Sequence, residues 1–121
     1  MAVILIVEDD TLICELAGML IQDFGHSILS ATDVNEALLI LQSTRRIDAL
    51  FTDIHLKKSA LGGCIVARQA IELRPQLLVL YTTGNLITVE MKSQFITGAR
   101  FLRKPYTHHQ LKDSVELLLA A

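Results

Sequence analysis

No stretch of this chain stays apolar for the roughly 18 to 20 residues that a membrane span needs. Its N-terminal apolar run turns acidic at Glu8, too soon for a signal peptide. A cytoplasmic location is expected, with no membrane partner. Cysteine is scarce: Cys14 and Cys64 lie among apolar residues, with neither a CxxC spacing nor a histidine placed to complete a zinc site. That excludes a disulfide framework and points to buried, reduced thiols. A basic excess is also missing, since the formal net charge is −2, and direct nucleic-acid binding normally needs a clustered basic face. Repeats, low-complexity tracts and interdomain linkers are absent too, so a single domain over 1–121 is expected. What the chain does have is apolar residues, 51% against 20% charged, enough for a packed core and too many for a disordered chain. A domain of this size buries about two thirds of its unfolded surface.

Apolar runs of strand length recur at 2–7, 27–31, 48–52, 76–82 and 100–103, each separated by a segment with helical spacing. Several are apolar at consecutive positions, Val3 to Val7 and Leu77 to Leu80 above all. Strands covered on both faces by helices have that pattern. The alternation predicts an α/β fold, a doubly wound parallel sheet of five strands with five helices. The first helix is expected to bury Leu12, Ile13, Leu16, Ala17, Leu20 and Phe24, and to stop at Gly25. Asp33 and Glu36 form a capping box for the second, with Ala37, Leu38 and Leu41 inward. The third runs from about Gly63 to Pro75, which cannot continue it. A weaker stripe of Ile87, Met91 and Phe95 predicts a fourth helix over 87–97, and Thr107 caps the fifth.

The polar residues then fall at one edge. Glu8, Asp9 and Asp10 follow the first strand, Asp53 the third, Thr82 and Thr83 close the fourth, and Lys104 follows the fifth. Ligands of doubly wound sheets bind beyond the carboxyl ends of the strands. Carboxylates crowded there raise one another's pKa unless a cation lies among them, so the cluster calls for a hard, oxygen-seeking divalent metal.

In the order VEDD, FTDI, YTTG and FLRKP, the chain resembles the receiver domain of bacterial two-component response regulators over nearly its whole length. The resemblance implies a flavodoxin-like sheet in the order 2-1-3-4-5. It makes Asp53 the phosphoacceptor, and makes Glu8, Asp9, Asp53 and the backbone carbonyl of His55 the holders of Mg²⁺. Asp10 is left to cap the first helix. Lys104 corresponds to the lysine that pairs with Asp53 at rest and with the phosphoryl group afterwards, and its bond to Pro105 is cis in similar proteins. Thr83, rather than its neighbour Thr82, corresponds to the hydroxyl that bonds a phosphoryl oxygen, and Phe101 to the switch aromatic. The implied function is a signalling switch, not an enzyme in the usual sense. Its donor would be a sensor histidine kinase or a histidine phosphotransfer protein. Its output would pass to a downstream protein through the fourth helix, fifth strand and fifth helix, and a phosphorylation-dependent homodimer stays open.

The chain departs from that pattern after Asp53. Lys57 stands where many relatives have proline, and the segment 57–63 is about one residue longer than usual. His55 and Asn85 occupy positions that tune phosphate lifetime in similar proteins, whereas His108 and His109 are expected to face solvent. Two other readings of the same residues exist. A Mg²⁺-dependent phosphohydrolase with an aspartate nucleophile would need an acid two residues after Asp53, where His55 stands. A receiver-like interaction module that is never phosphorylated would be expected to have lost one of the key groups.

Overall fold

The structure is a computed structural model that describes residues 1–120. Its elements run β1 (Val3–Val7), α1 (Thr11–Asp23), β2 (Ser27–Ala31), α2 (Val34–Gln42), β3 (Ala49–Asp53), α3 (Gly62–Leu73), β4 (Leu78–Thr83), α4 (Val89–Ser93), β5 (Arg100–Arg103) and α5 (His108–Leu119). All strand pairs are parallel, in the order β2-β1-β3-β4-β5, which is the expected fold class.

Alternation along the strands divides the core in two. Ile4, Ile6, Ala49, Phe51 and Leu80 face α1 and α5, packing on Ala17, Ile21, Leu111 and Val115. Leu5, Val7, Leu50, Val79 and Tyr81 face the other side, against residues of α2, α3 and α4. Because both faces are covered, the strands carry consecutive apolar residues. Among the described residues no helix is long and apolar enough to cross a membrane.

Local signals set most element ends. Asp10 caps α1 by accepting from the amides of Leu12 and Ile13, and Gly25 takes a positive φ of 99° just beyond the helix. Thr107 and Gln110 form a reciprocal capping box on α5. At α2 the Asp33 side chain accepts from Glu36 N, but Glu36 Oε1 takes the amide of Thr32, one residue earlier than the expected box.

Two helices differ from expectation. In α1 the buried stripe is Cys14, Ala17, Gly18 and Ile21, while Leu12 and Leu16 are exposed on the outer face with Met19. The fourth helix is short, since Thr88 caps it by accepting from Met91 N and Gln94 already closes it. Phe95 therefore lies beyond the helix. It stacks on Tyr81 at 4.7 Å between ring centroids, and the Tyr81 hydroxyl accepts from Ile96 N at 3.1 Å, which draws the chain off the helical path.

Candidate functional site

Beyond the last apolar residues the carboxyl ends of the strands stay tied to their neighbours, β1 to β2, β3 to β4 and β5 to β4. Glu8 N donates to Ala31 O, Ile54 N to Thr82 O, and Lys104 N to Thr83 O, at 2.9 to 3.1 Å. These bonds extend the sheet's pairing into the polar edge and fix where its side chains start. Glu8 and Asp53 are only 5% and 7% exposed, so both side chains are largely shut off from solvent.

Lys104 is the one cation among them. Its Nζ donates to Glu8 Oε1 at 2.5 Å and to Asp53 Oδ2 at 3.1 Å, joining residues from three strand ends. Burial pushes the Glu8 carboxyl up to about 7, with the neighbouring Asp53 charge adding to the rise and the Lys104 hydrogen bond opposing it. For Lys104 burial acts downward, yet the bonds to Glu8 and Asp53 outweigh it and hold the ammonium above its usual value. Lys104 is thus held as an ammonium, while burial makes the Glu8 carboxyl harder to ionise. The Lys104–Pro105 peptide is cis.

Glu8, Asp9 and Asp53 each offer an oxygen, all within 4.8 Å of one another. Oxygens bound to one Mg²⁺ at about 2.0 to 2.1 Å lie up to about 4.2 Å apart. Small side-chain rotations close that difference, and an all-oxygen donor set suits the ion, so the residues fit it. Asp10 is not part of this group, since its carboxylate is the α1 cap.

The other expected residues are placed differently. Thr83 is fully buried, and its hydroxyl accepts from Asn85 N at 3.1 Å, which leaves its own proton free to donate. Thr82, not Thr83, pairs with Asp53 across β3 and β4 and shares its face of the sheet. Phe101 pairs with Tyr81 and is on the opposite face, half-buried beside Phe95 with ring centroids 6.1 Å apart. His55 follows Asp53 in the turn, its Nδ1 buried without a partner among the described residues. His108 and His109 are exposed.

Gly63 went unnoticed in the sequence as part of this edge. A Cβ there would fall 2.0 Å from the Asp53 carbonyl oxygen, and Gly63 N donates to Ile54 O at 2.9 Å. Only glycine lets α3 start against the backbone of Asp53, and the Gly62-Gly63 pair was the available signal.

Comparison with known proteins gives the family. Residues 4–116 match the family described as the response regulator receiver domain. A response regulator receiver protein from Sinorhizobium medicae superposes with a TM-score of 0.89 at 28% identity, covering 99% of this chain and 95% of that one. The receiver domain of NtrX from Brucella abortus gives 0.83 at 28% identity, with 98% of both chains covered. A CheY-like receiver domain protein from Methanospirillum hungatei shares the fold with a TM-score of 0.89 at 24% identity, over 99% and 94% of the two chains. With a match that spans nearly its whole length, and with three acids and a lysine at the carboxyl edge of the sheet, the chain belongs to the response regulator receiver domain family, whose members are signalling switches.

Proposed function

We propose that residues 1–121 form a phosphoacceptor switch in which Asp53 receives a phosphoryl group from the phosphohistidine of a sensor kinase or a phosphotransfer protein. The observation that carries this reading is Lys104, whose ammonium bridges Asp53 and Glu8 in a buried pocket with a third acid beside it. An Asp53 oxygen attacks phosphorus, the bond from phosphorus to the donor's nitrogen breaks, and the histidine leaves with the electron pair. Such transfer depends on positioning and charge neutralisation more than on covalent chemistry by the protein. Mg²⁺, held by Glu8, Asp9, Asp53 and the backbone carbonyl of His55, would neutralise the pocket and the incoming phosphoryl oxygens. Lys104 releases Asp53 and pairs with a phosphoryl oxygen, as a mobile point charge can. Thr83 gives its free hydroxyl proton to another.

The added charge then biases two packings of the face built by α4, β5 and α5. Drawing Thr83 toward the phosphoryl group vacates space for Phe101 to turn inward, away from Phe95. A downstream protein reads that face, and a phosphorylation-dependent homodimer would use it as well. A groove of about 630 Å³ lined by Leu16, Met19, Leu20, Pro105 and Tyr106 opens beside Lys104. A donor protein seated there has its phosphohistidine close to the pocket. His55 shields or positions the hydrolytic water, so His55→Ala changes phosphate lifetime. The setting is cytoplasmic, with no nucleic acid or membrane partner.

Incubation with phosphoramidate and Mg²⁺, followed by intact mass, tests the reading. One stoichiometric adduct that disappears in Asp53→Asn is expected. Continuous phosphate release with no adduct would mean a hydrolase instead, and neither adduct nor release would mean an unphosphorylated interaction module.

A further inference from the structure

Thr82 has no part in the mechanism above, yet its place in the pocket is unusual. Register puts it directly across from Asp53, on the face that packs against α1 and α5. It is 3% exposed, and its Oγ1 has no hydrogen-bond partner among the described residues. A buried hydroxyl is costly unless something bonds to it. The same residue lines a cavity of about 10 Å³ whose other polar walls are Glu8, Asp53 and Tyr106, with Phe51 and Ile13 among the apolar ones. That volume is at the lower edge of what one water requires, about 10 to 15 Å³, and a buried water needs two to four polar partners.

We propose that Thr82 is a positioning residue of this site: its hydroxyl holds one water in the cavity, and that water donates to the Asp53 and Glu8 carboxylates. The water fills the hydroxyl's missing bond and gives two crowded anions donors that do not depend on Lys104. When Lys104 moves to a phosphoryl oxygen, Asp53 loses the bond at Oδ2, and the water keeps the carboxylate from swinging. The effect on phosphorylation rests on the proposed function, whereas the water itself does not.

Thr82→Val keeps the shape and removes the hydroxyl, while Thr82→Ser keeps the hydroxyl. With the full chain, phosphoramidate and saturating Mg²⁺, Thr82→Val is expected to phosphorylate about fivefold more slowly or worse, with Thr82→Ser within about twofold of wild type. The melting temperature of Thr82→Val falls, because the water and its bonds to both anions are lost. A hydroxyl that is simply buried and unbonded predicts the opposite, a melting temperature above wild type. Either that rise or a Thr82→Val rate within about twofold of wild type overturns the proposal. Should the wild-type protein form no Asp53 adduct, the phosphoacceptor reading fails by itself, and the direction of the melting shift still judges the water. If Thr82→Val does not fold, a high-resolution crystal structure of the wild type decides. Density for a water within hydrogen-bond reach of Thr82 Oγ1 supports the proposal, and its absence refutes it.

Discussion

The two ends of the same sheet handle charge in opposite ways. At the amino edge Asp48, Arg46 and Arg74 are each tied to the backbone, and two of them to one another. Asp48 Oδ2 accepts from Val3 N at 2.7 Å, and its carboxylate pairs with Arg46. Arg74 donates to three carbonyls, those of Leu41, Ser43 and Arg45, at 2.7 to 3.1 Å. These charges serve the fold. At the carboxyl edge Glu8 and Asp53 share one lysine with Asp9 beside them, and Glu8 is held near 7 by burial. A structural role would have removed that excess of negative charge, so the contrast says where a cation and an anionic group are meant to enter.

The comparison breaks most completely at Asp53. Asp53→Asn is expected to abolish phosphorylation while leaving the fold intact, and, without metal, to raise the melting temperature because one crowded anion is gone. Intact mass and thermal unfolding read both. A melting temperature well below wild type would show that Asp53 is a structural acid like Asp48.

The next largest effect concerns pH. Folded Glu8 holds its proton more tightly than the unfolded chain does, between the ordinary 4.5 and about 7. Metal-free stability therefore falls as pH rises through that window and is flat beyond it. The slope in that window is at most about 1.4 kcal/mol per pH unit for the single proton on Glu8. Urea unfolding of wild type and Glu8→Gln at pH 5 and pH 8 isolates it, with the variant lacking this component. An equal pH response in the two proteins would remove the claim that Glu8 is strained.

At the amino edge, Arg74→Ala removes three hydrogen bonds, two of them to solvent-exposed carbonyls, and is expected to cost about 1 kcal/mol of stability in urea unfolding. Its phosphorylation rate stays unchanged. A slowed rate at unchanged stability would mean that the two edges are not separate.

Much of this was legible beforehand because parallel strands buried on both faces leave consecutive apolar residues, and because Asp10, Gly25 and Thr107 act through local backbone bonds. The carboxyl edge was legible as chain order: acids and a lysine after successive strands. Features set by tertiary contact were not. Leu12 and Leu16 fit a three-and-four spacing as well as the residues α1 actually buries, so periodicity could not choose between adjacent faces. The fourth helix stops early because Tyr81, a residue of the sheet, captures Ile96 N. Gly63 matters only through the approach of α3 to Asp53. Thr82 and Thr83 are adjacent in sequence, and only the strand register shows which one faces Asp53.

The central claim is that Glu8, Asp9, Asp53 and Lys104 share one cation-accepting pocket. Titration of the isotopically labelled protein with Mg²⁺, followed by amide NMR, tests it most directly. Saturable shifts concentrated at residues 8–10, 53–55 and 104, with the amides around Asp48 and Arg74 unmoved, are predicted. No saturable response, or one centred on the amino edge, would contradict it.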